Sequence, residues 1–440
     1  MMQAYVAAIR EAELVRRTGR VRRLFGLSVE AEGPQASIGE VCEIRAPDGA
    51  EPLHAEVIGL KDGRTVLMPY GRLNGLRAGC EVVATGLAPQ VPVGPALLGR
   101  VVNAFGEPLD GRPAPATREY RSLKAAPLNP LERPRISRVV ETGVRSIDSI
   151  LTLGQGQRVG IFSGSGVGKS TLLGMIARKV NADVNVIALI GERGREVREF
   201  VENHLGEEGL KRSVVVVATA ELPALARTRA ALAATAIAEY FRDAGQHVLM
   251  IMDSITRFAM ARREIGLAAG EPATARGYTP SVFAELPELC ERCGTAASGG
   301  SITALYAVLV EGDDFNEPIS DILRATLDGH IVLSRSLANE GHYPAIDVLQ
   351  SVSRLFLDLT SLAEREPVAA ALECLALYER NRQMIDIGAY TSGSNPPLDR
   401  AMEVVPALLR FLRQNMNESM SRAETLKRLG AVVKRTAGAA

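Results

Sequence analysis

The sequence predicts an α/β protein, in which a parallel sheet wrapped by helices follows a small β-rich unit and precedes a helical one. Three observations carry this expectation. From Thr142 onward, apolar β-branched runs alternate with helical stretches, as in a parallel sheet covered on both faces. From Arg20 to about Val91, short apolar runs are separated by Pro47-Asp-Gly and Lys61-Asp-Gly turns at hairpin spacing. After about Leu362 the strand patterns give way to helical ones.

Each element has its own signal. Met2, Tyr5, Val6, Ile9 and Ala12 recur at helical spacing until Thr18-Gly19, a short amphipathic segment over 1–19. Its stripe suits a partner or packing on the chain's own β unit equally well. Runs such as Gly39-Glu-Val-Cys-Glu-Ile and Arg64-Thr-Val-Leu-Met over 20–92 read as strands of a small barrel or sandwich. The Pro-rich run Ala88-Pro-Gln-Val-Pro-Val-Gly-Pro marks a boundary, and Pro108 to Pro134 reads as a connector dense in Pro and Arg. Within 93–361, the runs Arg158-Val-Gly-Ile-Phe, Val184-Asn-Val-Ile-Ala-Leu-Ile, Ser213-Val-Val-Val-Val, His247-Val-Leu-Met-Ile-Met and Ile302-Thr-Ala-Leu-Tyr-Ala-Val-Leu-Val supply buried strands. Over 362–440, Ala371-Leu-Glu-Cys-Leu-Ala-Leu and the Leu426, Leu429, Val432, Val433 stripe predict helices.

Composition narrows the class. At 440 residues the chain has room for roughly three domains. A hydrophobic fraction of 46% with 23% charged residues excludes a mostly disordered chain and a polytopic membrane protein. Lys plus Arg (51) balance Asp plus Glu (51), which argues against a surface built throughout for nucleic acid. With no Trp, nine Tyr and ten Phe, base-stacking platforms are hard to assemble. Five scattered cysteines suit a reducing compartment, and no export signal is evident, so the chain reads as cytoplasmic. Cys290-x-x-Cys293 lacks a second pair at zinc-like spacing and reads as two thiols on one helix face.

The chemistry gathers around one loop. Directly after the strand Val159-Gly-Ile-Phe comes Ser163-Gly-Ser-Gly-Val-Gly-Lys-Ser-Thr, with Leu172, Met175 and Ile176 following at helical spacing. Strand, glycine loop, Lys-Ser and helix form a P-loop in its required context. Gly164, Ser165, Gly166, Val167 and Gly168 expose backbone amides to phosphate, Lys169 reaches the β/γ oxygens, and Ser170, with Thr171 beside it, opens the helix where a hydroxyl holds magnesium. The first loop position, usually Gly or Ala, is Ser163, which is small enough to fit. Asp253 ends the apolar strand Val248-Leu-Met-Ile-Met and is the natural second magnesium ligand. Glu192 follows the strand Val186-Ile-Ala-Leu-Ile, at the carboxyl end where ligands bind in such sheets. From spacing alone, a water-polarising carboxylate and a solvated loop glutamate are equally good readings of it.

The order of Gly-Ser-Gly-Val-Gly-Lys-Ser, Gly191-Glu-Arg-Gly-Arg-Glu, Asp253-Ser-Ile-Thr-Arg-Phe, Ala275-Arg-Gly-Tyr-Thr-Pro-Ser-Val-Phe, Glu311-Gly-Asp-Asp and Leu327-Asp-Gly-His-Ile-Val-Leu-Ser-Arg resembles the type III protein-export ATPases. These are relatives of the catalytic subunit of F-type ATP synthase, and the resemblance covers almost the whole chain. It implies a RecA-like P-loop ATPase core with an N-terminal β-barrel and a C-terminal helical domain. It implies that Glu192 orients the lytic water, that Arg193 and Arg257 stand near the γ-phosphate, and that Arg354 in Gln350-Ser-Val-Ser-Arg is an arginine finger for the neighbouring subunit. A finger supplied in trans is worth roughly 10³ to 10⁵ in rate, which makes a homohexameric ring the active form. Tyr343 matches the adenine-side aromatic and Tyr390 is a second candidate, though ordinary packing accounts for either.

The resemblance further implies ATP and magnesium as substrate and cofactor. As partners it implies a stator-like regulator at the N-terminal segment, a central stalk and export gate at the C-terminal domain, and export chaperones with their substrates. The expected place is the cytoplasmic face of an export apparatus, with room for peripheral membrane contact. Ile387-Gly-Ala-Tyr-Thr-Ser-Gly-Ser-Asn-Pro looks more like the flagellar branch than the injectisome branch, whose members tend to carry Glu where this chain has Ala389. A ring helicase is the rival from another class, with Arg16-Arg-Thr-Gly-Arg-Val-Arg-Arg in its favour and the neutral charge against it. A non-catalytic rotary subunit would typically lack Glu192.

Overall fold

The computed structural model describes residues 16–46, 51–310, 312 and 314–434. The Met2–Ala12 stripe, the Pro47-Asp-Gly turn, Glu311 and Asp313 lie outside the described residues.

Six strands open the fold: β1 (Thr18–Phe25), β2 (Ser28–Glu32), β3 (Val41–Arg45), β4 (Leu53–Lys61), β5 (Arg64–Pro69) and β6 (Glu81–Ala84). They close into a barrel in the order β1-β2-β5-β4-β3-β6. Alternation puts Val29 and Ala31, Cys42 and Ile44, and Ala55 and Val57 inside, and closure removes the edges that six short strands would otherwise expose. The β4–β5 hairpin turns through Asp62 and Gly63, both at positive φ (48° and 73°), the paired left-handed conformation that tight hairpins favour. Three arginines of the Arg16–Arg23 run meet barrel carboxylates. Arg16 pairs with Glu81 at 3.3 Å and Arg17 with Glu40 at 3.0 Å, and Arg22 Nε donates to Glu32 at 2.6 Å.

The Pro-rich passage contains regular structure that its composition hides. Gln90–Val93, which spans the expected boundary at 92/93, pairs antiparallel with Glu119–Ser122, and β7 (Arg100–Val102) joins the edge of the main sheet. Proline is tolerated in such edge pairings because one side of the strand needs no ladder donor.

The core strands are β8 (Arg158–Ser163), β9 (Val184–Ile190), β10 (Ser213–Ala218), β11 (His247–Asp253), β12 (Ser301–Leu309), β13 (Gly329–Leu333) and β14 (Ile346–Ser353). The sheet runs β14-β13-β8-β12-β11-β9-β10-β7, parallel along this path except for β14, and the short segment Gly294–Thr295 adds an antiparallel pairing on β12. Alternate side chains feed two separate cores, as the period of two requires. In β9, Val186, Ala188 and Ile190 face one core, and Ile187 and Leu189 the other. The first core is covered by α2 (Ala224–Asp243), α3 (Ile255–Ala269) and α4 (Pro280–Glu291). The second is covered by α1 (Lys169–Lys179) together with α6 (Leu362–Asp386), α7 (Pro396–Leu412) and α8 (Arg422–Lys434). A further helix, α5 (Pro318–Thr326), precedes β13.

The helical unit therefore packs against the side of the sheet that carries α1. Arg178 of α1 donates to the Met416 carbonyl at 2.9 Å, and Arg145 pairs with Glu418 at 2.6 Å. Cys290 lies in α4 and Cys293 just past its end. Both are buried, and Tyr306 Oη donates to Cys293 Sγ at 3.3 Å. Among the described residues no helix is long and apolar enough to cross a membrane.

Candidate active site

β8 delivers the glycine loop to the carboxyl edge of the sheet. Val167 is buried and pins the loop, Ser165 and Gly166 are exposed, and Gly166 and Gly168 take φ values of 77° and 89° that only glycine adopts at little cost. α1 begins at Lys169, and no side chain caps its N-terminus. The first-turn amides of Lys169, Ser170 and Thr171 thus lack intrahelical partners and face the loop, a ready anion site.

Three charged groups converge there from three strand ends. Lys169 Nζ forms a close ion pair with Asp253 at the end of β11 and stands 3.8 Å from Glu192 Oε1, beyond the end of β9. β9 and β11 are hydrogen-bonded neighbours with Leu189 opposite Asp253, so the sheet register itself sets the two carboxylates side by side. Burial and the charge of Asp253 push the Glu192 carboxyl up to about 7, against the pull of Lys169. Its neighbour Glu196 is held below the usual carboxylate range, chiefly through its interaction with Glu192.

The remaining candidates fall into two groups. Arg257, in the first turn of α3, lays its aliphatic stem over Gly191, where a Cβ would stand only 3.0 Å from Arg257 Cβ and Cγ. Its Nε is buried with no hydrogen-bond partner among the described residues. The Tyr343 ring is half exposed and packs on Gly168, with Cδ1 and Cε1 at 3.4 Å from the position a Cβ would take. Arg193 is exposed and pairs with Glu196 at 3.4 Å. Arg354, exposed after β14, donates to the Arg324 carbonyl at 2.8 Å, and among the described residues no contact ties it to Lys169, Glu192 or Asp253. Tyr390 ties its own loop to α7, donating to Asp399 Oδ1 at 3.0 Å and accepting from the Asn395 amide at 3.2 Å.

Sequence reasoning passed over Glu196 and Arg335. Glu196 was legible as the last residue of Gly191-Glu-Arg-Gly-Arg-Glu, four positions beyond Glu192. Arg335, whose guanidinium donates to the Ser165 carbonyl at 3.3 Å, was likewise legible as the last residue of Leu327-Asp-Gly-His-Ile-Val-Leu-Ser-Arg.

Family models divide the chain as the fold does. The "ATP synthase alpha/beta family, beta-barrel domain" matches residues 21–86, the family's nucleotide-binding domain matches 143–353, and the "T3SS EscN ATPase C-terminal domain" matches 360–431. The flagellum-specific ATP synthase of Bacillus subtilis (strain 168) is 52% identical over 97% of this chain and 98% of its own. The chain belongs to the ATP synthase alpha/beta family. Within that family it stands among ATPases of flagella and of type III secretion. The type 3 secretion system ATPase of Xanthomonas euvesicatoria is 48% identical over 95% of this chain and 94% of its own. The assembled ATPase EscN from the enteropathogenic E. coli type III secretion system superposes with a TM-score of 0.90 at 44% identity, covering 94% of this chain and all of that one. EscN in complex with its central stalk EscO gives 0.87 at 43% identity over the same shares.

Proposed function

We propose that this ATPase uses magnesium and works as a homohexameric ring that energises protein export through the flagellar apparatus. The observation that carries the catalytic part is the convergence of Glu192, Lys169 and Asp253 at neighbouring strand ends beside an uncapped α1. Donor chemistry supports the metal: the Asp253 and Glu192 carboxylates share the one ammonium of Lys169, and Ser170, next in the chain, adds a hydroxyl, an all-oxygen donor set of the kind magnesium takes. Ser170 and Asp253 would hold magnesium, which when bound neutralises charge on the phosphoryl oxygens.

The chain's own groups do the rest. Backbone amides of 164–171 and Lys169 cradle the phosphates. Glu192, ionised, accepts a hydrogen bond from the attacking water and orients it, and Arg257, with its unpaired Nε, and Arg193 add positive charge at the γ-phosphate side. Tyr343 offers its exposed ring to the base. Among the described residues nothing ties Arg354 to its own P-loop, which supports a role at the neighbouring subunit's site. EscN, described as assembled and with a central stalk, supports the ring and a stalk contact for the C-terminal helices. A regulator at 1–19, an export gate, chaperones and export substrates complete the proposed partners, at the cytoplasmic face of the apparatus.

Glu192→Gln is expected to bind ATP normally and lose about 10²- to 10⁴-fold in kcat. Full turnover in that variant would sink the mechanism. The injectisome is the second reading, supported by the likeness to EscN. Ala389 and the flagellar relatives favour the flagellum. Deleting the gene should abolish swimming and flagellar export, and a deletion strain that still swims overturns the flagellar assignment.

A further inference from the structure

Beyond α7 the chain makes a turn in which one side chain has all its polar atoms engaged. Gln414 is 6% exposed. Its Oε1 accepts from the Arg145 amide at 2.9 Å, and its Nε2 donates to the carbonyls of Gly143 at 2.7 Å and Glu418 at 2.9 Å. Arg145 returns the grip, donating to the carbonyls of Phe411 at 3.2 Å and Arg413 at 2.9 Å. The turn is thereby clamped to the corner that precedes β8, and a buried amide with every donor and acceptor paired has one orientation open to it.

What the clamp holds is the site. The backbone N–H of Gln414 donates to the Tyr343 carbonyl at 2.9 Å, and the Tyr343 ring rests on Gly168 of the P-loop. We propose that Gln414 is a positioning residue for the base side of the nucleotide site: its side chain fixes the peptide that holds Tyr343, and so fixes where the ring stands above the P-loop. The inference rests on reading Tyr343 as the base-side aromatic and extends that reading to a residue 71 positions further along the chain. The carboxamide never touches nucleotide. It joins the C-terminal helical unit to the site, so movement of the α7–α8 connection alters base affinity before it alters the phosphate cradle.

The test compares ADP with inorganic tripolyphosphate, which carries phosphates and no base, by equilibrium titration on the full chain. Gln414→Ala should weaken ADP several-fold and leave tripolyphosphate unchanged, with KM for ATP raised and kcat at saturation within about two-fold of the parent. A Tyr343→Ala/Gln414→Ala double variant should bind ADP no more weakly than Tyr343→Ala alone, because both act through one ring. A purely structural amide would lower the melting temperature and leave the ADP-to-tripolyphosphate ratio alone, which overturns the proposal. Equal loss of both ligands, or additive losses in the double variant, overturns it too. Should Gln414→Ala fail to fold, Arg145→Ala loosens the same turn from its more exposed side and must show the same selective loss of ADP. These binding ratios do not depend on turnover, so a Glu192→Gln variant that still hydrolyses ATP defeats the catalytic reading separately.

Discussion

Gly168 meets two demands at one Cα: a left-handed φ of 89° and an aromatic ring 3.4 Å from the space a methyl group would need. Gly168→Ala is therefore expected to cost about 1–3 kcal/mol in stability and to raise KM for ATP, because strain and displacement of Tyr343 act together. A melting curve and a Michaelis plot check both halves, and unchanged values in each would show that the loop has other room. At this scale the sequence was readable where the chemistry is contiguous. Ser163–Thr171 and Asp253 stood out because a phosphate cradle needs consecutive amides and a strand-end carboxylate. Glu192 is ambiguous from spacing alone, since its raised carboxyl comes from burial and from Asp253, 61 positions away in sequence and adjacent only in the sheet. Gln414 was invisible for the same reason, its partners Tyr343, Arg145 and Gly143 being 71 to 271 positions away, and the contact of Arg335 with Ser165 spans 170.

Helices and strands impose their own constraints. Arg292, just past α4, grips Glu239 of α2 through two hydrogen bonds of 2.8 and 2.6 Å, with both side chains almost fully buried, and also donates to the Leu123 carbonyl in the connector. Glu239→Ala leaves that guanidinium buried without its counter-charge and should cost about 3–5 kcal/mol in a urea titration, whereas replacing both partners by Met should recover most of the loss. His247, which opens β11, has both ring nitrogens in hydrogen-bond contact, with the Asn181 carbonyl at 3.1 Å and Thr303 Oγ1 at 2.9 Å. Burial holds its pKa below 6.5. Below 6.5 the unfolded chain therefore takes up a proton that the folded state resists, so this contribution to stability is present near neutrality and lost as pH falls. The stability gap between the parent and His247→Asn should narrow from pH 7 to pH 5, and a constant gap would refute the assignment. The buried strands were legible as uninterrupted apolar runs. The pairing of Gln90–Val93 with Glu119–Ser122 was not, because prolines written into an edge strand look the same as prolines in a linker.

For the molecule as a whole, the proposed ring makes a sharp prediction. If Glu192 acts in its own subunit and Arg354 in the next, Glu192→Gln and Arg354→Ala subunits are each nearly inactive alone. Mixed one to one, they should regain a substantial part of the parental ATPase rate, because interfaces form in which an intact Glu192 meets an intact Arg354. No recovery on mixing, with ring assembly verified by sedimentation, would place both groups in one subunit. The division into β-rich, α/β and helical parts was legible because each part has its own hydrophobic period. That the helices share the second core with α1 was not, since the stripe on a helix states that it is buried and not against what.

The order of the main sheet has a mechanical consequence. The chain arrives from the barrel on β7 at one margin and departs toward the helices from β14 at the other. Tension transmitted through these chain connections enters at one margin and leaves at the opposite one, carried sideways through eight strands instead of along any one of them. β8, with the P-loop at its tip, lies third from the exit margin, so the phosphate cradle rides inside this load path.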